Sequence, residues 1–219
     1  MSTRGAHYLL PDGLVRPRLR GWLHAGAVPV ALGLGIALVI VAPAGRATWA
    51  ALVYAISVVG LFAASGAYHR GRWSPGVRAW MRRADHAMIF VLIAGTYTPI
   101  CMLVLDGTLG DVLLATAWSG ALVGAGLQFV EVPRWLVVSV FLALGWVAVL
   151  ALPELLSDLG WLPVILIAAG GALYSAGAVV YGRRRPDPLP QVFGYHEVFH
   201  ACTIAAAALH YAVVAFWVL

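Results

Sequence analysis

Apolar residues run through this chain in long blocks, separated by short clusters of Gly, Pro and charge. A helix rises about 1.5 Å per residue and bilayer hydrocarbon is about 30 Å thick, so a block near 20 residues crosses it. Seven blocks approach or exceed that length, over residues 22–42, 48–69, 86–105, 112–130, 135–152, 161–181 and 196–219. Trp22, Trp49, Trp135, Trp161 and Trp217 stand near block ends, where an amphipathic indole anchors at the membrane interface. The pattern predicts an all-α polytopic membrane protein, with a tail over 1–21 and a single seven-helix domain over 22–219. Between the second and third blocks, Val77, Trp80 and Met81 share a helical face opposite Arg78, Arg82 and Arg83. That pattern predicts a short interfacial helix on anionic headgroups.

Composition strengthens the reading. Hydrophobic residues make up 62% of the chain and charged residues 11%, with a mean hydropathy of +0.89. A soluble domain of 219 residues has no interior large enough for that much apolar surface. No linker, low-complexity tract or short repeat divides the chain. The first block has the arginines before it and the small residues after it of a secretory signal. Its apolar core is too long, however, and Pro43 spoils the Ala42-Pro43-Ala44 site, so it is expected to be retained. Cys101 and Cys202 fall inside blocks and read as apolar packing residues.

Charge then sets an expected orientation. All 14 basic residues are arginine, and with seven spans Arg46 alone falls opposite the rest. The amino-terminal tail shares its side with the second, fourth and sixth loops. That side carries Arg4, Arg16, Arg18, Arg20, Arg70, Arg72, Arg78, Arg82, Arg83, Arg134 and Arg183 to Arg185. The bias predicts a cytoplasmic amino terminus and an external carboxyl terminus in the inner or plasma membrane. Because topology accounts for these arginines, nucleic acid is not expected as a partner, and no protein partner can be named.

On this topology His69 closes the second block, Asp85 precedes the third, and His196 and His200 open the seventh. All four therefore fall at one cytoplasmic depth. Ser65, four residues before His69, shares its helical face, and His196 and His200 lie about a turn apart on theirs. Such a histidine pair can share a metal ion. Three neutral imidazoles would leave tetrahedral Zn²⁺ one open position for a water whose pKa falls to about 7. Asp85 and Ser65 suit orienting that water, taking its proton or bonding a developing oxyanion. The ordinary alternative is a set of interfacial histidines facing headgroups, with Ser65 bonded to its own helix. For His69 alone the ordinary alternative is favoured; with the pair at matching depth both readings stand. His24 and His86 read as interfacial or supporting groups, with His24 the reserve ligand. His210, deep in the seventh block, reads as a packed or hydrogen-bonded interior imidazole. Gly95 and Pro99 are expected to loosen the third helix, and Thr96, Tyr97 and Thr98 to hydrogen-bond within the bundle.

Three motifs, in order, resemble the hemolysin III family: Ser65-Gly66-Ala67-Tyr68-His69; Asp85-His86-Ala87-Met88-Ile89-Phe90 running on to Gly95-Thr96-Tyr97-Thr98-Pro99; and His196 with His200. Pro17-Arg18-Leu19-Arg20-Gly21-Trp22-Leu23-His24 looks like that family's entry to its first span. The family is the bacterial branch of the progestin and adipoQ receptor superfamily, which includes the adiponectin receptors. The resemblance implies a zinc site of His69, His196 and His200 with Ser65 and Asp85. It also implies kinship with alkaline ceramidases, which hydrolyse a lipid amide. Gly66 stands where many relatives have Ala, a change expected to leave the ligands in place.

His196-Glu197-Val198-Phe199-His200 also matches H-E-x-x-H, the zinc-protease pattern in which the glutamate is general base. A metzincin needs a third histidine and a glycine at positions that here are Ala206 and Thr203. His210 lies some 21 Å further along the helix, too far to share the ion. Glu197 is about 100° around the helix from His196 and is expected to face headgroups or a neighbouring helix. The leading expectation is a zinc-dependent hydrolase of a lipid amide or ester, with membrane lipid as substrate. The second is a non-enzymatic sensor or regulator of membrane state with structural zinc. The third is cytolysis, for which the sequence supplies little mechanism.

Overall fold

The structure, a computed structural model, describes residues 17–219. Arg4, Arg16 and most of the predicted tail lie outside the described residues. The rest is helical, and seven helices are long and apolar enough to cross a membrane. Among the described residues the extended pairing is an isolated bridge between Leu189 and Phe193.

The elements are α1 (Trp22–Val41), α2 (Arg46–Arg70), α3 (Pro75–Leu103), α4 (Gly107–Gly126), α5 (Arg134–Trp146), α6 (Leu152–Leu159), α7 (Trp161–Arg183) and α8 (Tyr195–Val213). Tight turns separate them. Gly45 and Gly160, at φ 99° and 81°, take conformations open to glycine before α2 and α7. Pro75 starts α3 at a position where its missing N–H costs nothing. Consequently Val77, Trp80 and Met81 do not form a separate interfacial helix; they are the first turns of α3. Arg83 lies over the faces of Trp80 and Phe129, at 5.6 and 5.4 Å.

The fifth span is broken. α5 tightens into a 3₁₀ stretch over Val147–Ala151 and resumes as α6, just before Pro153. Pro153 cannot donate to the residue four before it and crowds that carbonyl. Tyr97 of α3 repairs the break: its hydroxyl accepts from Ala148 N–H at 2.7 Å and faces the Leu144 and Gly145 carbonyls at 3.1 Å. Thr96 and Thr98 donate to the carbonyls of Leu92 and Ala94, and Trp118 donates to Thr98. The 96–98 stretch is thus consumed by bonds inside the bundle, as expected.

α3 is central, packed against α2, α4 and α5. Small residues permit the approach: a Cβ on Gly95 would collide with Ser57 of α2, the close packing that membrane helices favour. Phe90, Ala94, Leu113, Ala117 and Leu144 fill one core, and Leu61, Phe62, Leu92 and Ala207 another. Ile40, Leu122, Leu150, Trp161 and Phe216 stand outside with 70–75% of their surface exposed. Such an apolar exterior suits lipid as solvent. Arg46, at the start of α2, donates to the Met102 carbonyl at the end of α3, at 2.9 Å. The opposite ends of α2 and α3 therefore meet at the other side of the bundle, beside the start of α8.

Candidate metal centre

Three helices converge at the end of the bundle that carries Arg20, Arg70 and Arg183. His69 comes from the last turn of α2, Asp85 from three turns into α3, and His196 and His200 from the first turns of α8. Each helix points an interior face at the same spot because residues four apart stack on one side. Ser65, His69, Asp85, His196 and His200 are all buried.

The three imidazoles meet: one ring nitrogen from each lies within 4.8 Å of the others. His69 Nε2 and His196 Nε2 are 3.0 Å apart. Two nitrogens held by one zinc ion at tetrahedral geometry stand about 3.3 Å apart, so this pair needs to shift by only a few tenths of an ångström. His200 Nδ1 is buried with no hydrogen-bond partner. An orphaned buried polar atom is costly, and the nitrogen-only donor set suits a borderline-soft divalent ion. The residues present therefore fit a metal.

Asp85 Oδ2 stands 3.8 Å from His69 Nε2, and the Ser65 side chain lies beside the carboxylate. The carboxylate is placed next to the imidazole cluster, with the hydroxyl on its flank. Edge contacts from Tyr181 and Phe199 enclose His196, with ring centroids 5.6 and 6.0 Å away.

The segment before α1 forms the remaining wall. Gly21 has φ 79°, and a Cβ there would collide with His69 Cβ. His24 is buried and stacks on His200, ring centroids 3.8 Å apart and planes within 12°. Neither ring nitrogen of His24 makes a hydrogen bond, although the His200 backbone lies beside it. His24 is thus absent from the trio whose nitrogens meet; it supports His200 face-on. His86 is half-buried, one residue past Asp85 on α3. Gly66 lets α1 approach: an added Cβ would sit 3.1 Å from Ala25 Cα, so an alanine there would push α1 by a few tenths of an ångström.

Glu197 faces away from the imidazoles. It is fully buried against Arg20, with Nε 2.6 Å from Oε1. Its other oxygen accepts the Gly194 N–H at 2.9 Å, capping α8. It occupies a neighbouring segment's surface, as the 100° offset implies, and is not placed as a general base. Arg20 and Gly21 are the residues that sequence reasoning passed over. One counted only as topological charge and the other only as part of a motif. The signal for Arg20 was Glu197 itself, since a carboxylate inside an apolar block needs a partner. His210 Nε2 donates to the Ile167 carbonyl, 3.1 Å away, and its ring packs on Tyr174, well away from the trio.

The chain matches the family model described as haemolysin-III related over residues 13–211. It belongs to that family. It is 35% identical over 135 residues to a protein named "Hemolysin-3 homolog" from Bacillus subtilis (strain 168), covering 61% of each chain. The aligned part thus spans about three fifths of that relative's length. It is 33% identical over 169 residues to "Hemolysin-3" from Bacillus cereus, covering 76% of this chain and 74% of the relative. With the seven spans, this makes the chain a multi-pass membrane protein of the haemolysin-III family.

Proposed function

We propose that this haemolysin-III family protein is a zinc-dependent hydrolase of a lipid amide or ester, working at the cytoplasmic face of the cell membrane. The observation that carries the reading is the buried trio of His69, His196 and His200 beside the Asp85 carboxylate. Bound zinc would supply Lewis acidity and a water acidified to near neutrality. Asp85 orients water and receives its proton as the carbonyl is attacked, then returns it to the leaving amine or alcohol. Ser65 donates its hydroxyl to the Asp85 carboxylate, and once Asp85 has taken the proton that hydroxyl is free to turn to the oxygen on which charge develops. The apolar exterior of the bundle supports a substrate drawn from the bilayer instead of from water.

The test is fatty-acid release from a panel of amide- and ester-linked lipids by purified, zinc-loaded protein. Asp85→Ala is expected to lower the rate about 10²–10⁴-fold, the usual contribution of a positioned proton acceptor, with zinc content unchanged. A zinc-replete protein that releases nothing from any lipid, or an Asp85→Ala variant of full activity, overturns the reading.

A second reading, a membrane-state sensor with structural zinc, draws on one observation. The imidazoles join α2 to α8, so a metal would tie the second span to the seventh. Chelation then lowers thermal stability in both readings. Only in the second does Asp85→Ala leave the cellular function intact. The names of the Bacillus relatives point to lysis, but a chain embedded by seven spans has no evident route into another cell's membrane, and lysis ranks third.

A further inference from the structure

Glu197 has no place in the proposed hydrolysis, yet it sits between the two α8 imidazoles in sequence and is wholly buried. A buried carboxylate must be paired. Its partners are Arg20 Nε at 2.6 Å and the Gly194 N–H at 2.9 Å. The strand of chain around Arg20 is itself anchored. Arg18 N–H donates to Gln191 O at 2.9 Å, and Leu19 N–H to Val192 O at 3.1 Å. The segment before α1 therefore runs along the loop before α8. One residue past Arg20, Gly21 abuts His69; four residues past it, His24 stacks on His200. A stretch of chain from Arg18 to His24 thus touches both helices that supply imidazoles.

Charge gives this contact a second consequence. Arg20 is bonded to the residue that follows His196 and directly precedes Gly21, which abuts His69, so its cation stands near the imidazoles. An uncompensated cation there would repel a divalent ion, and in an apolar bundle that repulsion falls off slowly with distance. Glu197 cancels it.

We infer that Arg20 and Glu197 are positioning residues for the metal: their ion pair clasps the segment before α1 onto the first turn of α8 and neutralises the Arg20 charge beside the ion. The inference rests on the metal-site reading above. It turns the glutamate of the H-E-x-x-H pattern from a proton acceptor into a structural and electrostatic support, with the ligand-bearing turn as the part it holds.

The experiment measures Zn²⁺ affinity, by competition with a chromophoric chelator, and the visible spectrum of the Co²⁺-loaded protein. It uses purified wild type, E197Q, R20Q/E197Q and H196A/H200A, each checked for folding by size exclusion and thermal unfolding. Wild type is expected to bind one ion and H196A/H200A none. E197Q is expected to bind about 10–100-fold more weakly, the usual range for groups that support metal ligands, with an altered Co²⁺ spectrum. R20Q/E197Q, which removes the repelling charge but also the clasp, is expected to bind more tightly than E197Q and less tightly than wild type. E197Q binding as tightly as wild type overturns the inference, and so does a double variant no better than E197Q. If E197Q fails to fold, E197D takes its place: it keeps the charge but shortens the reach to Arg20. Wild-type affinity and spectrum in E197D would overturn the clasp; weaker binding with a shifted spectrum would support it. Wild type that binds no ion would fail the metal-site reading itself, and the inference with it. Binding by wild type with indifferent variants would fail the inference alone.

Discussion

His69 and His196 hold their Nε2 atoms 3.0 Å apart inside an apolar bundle, and that contact depends on a residue with no side chain. Gly21 takes φ 79°, and no Cβ fits between it and His69. Gly21→Ala would impose left-handed strain and overpacking together, at about 1–3 kcal/mol for the overpacking. With zinc as the proposed metal, the variant is expected to melt earlier than wild type in detergent and to retain less of it, because the displaced segment is the one that faces His69. Equal melting and full zinc content would show that the segment yields without disturbing the ligand. At the same scale, His69, His196, His200, Asp85 and Ser65 were all legible as candidates from their depth and spacing. Arg20 was not, because its role depends on a partner 177 residues away.

At the scale of elements, hydropathy located the spans to within a few residues at most ends but missed two features. α3 begins at Pro75, so the amphipathic turn around Trp80 continues into the span. Amphipathicity reports which face is apolar and carries no information on whether the helix ends. The fifth span is interrupted over Val147–Ala151 and held by Tyr97. Tyr97→Phe would remove the acceptor of the Ala148 N–H where no water replaces it. The expected cost is about 1–3 kcal/mol, the penalty for a buried polar group left unmet, read as a lower unfolding temperature. Zinc content should not change, since Tyr97 is about three turns of α3 beyond Asp85. A fall in zinc equal to that of a ligand variant would mean that the two ends of the bundle are coupled.

For the whole molecule, the arginine-bearing end is also the end that holds the imidazoles. By the distribution of positive charge, we propose that this end faces the cytoplasm and that the carboxyl terminus is outside. An alkaline phosphatase fused after Leu219 is then expected to be active in cells and a green fluorescent protein fused there to be dark. The reverse pattern would move the metal centre to the outer face and with it the pool of lipid and metal that can reach it.

Sequence alone determined that the chain is membrane-embedded and helical, and which polar residues share a depth. Each of these follows from a pattern within one segment, set by the thickness of hydrocarbon and the rise of a helix. Only the tertiary structure decided which of those residues meet. It brought His69 to His196 and His200, left His24 stacked outside that trio, and gave Glu197 to Arg20. Those choices depend on helix neighbours and rotations, which close packing between distant segments sets and no single segment contains.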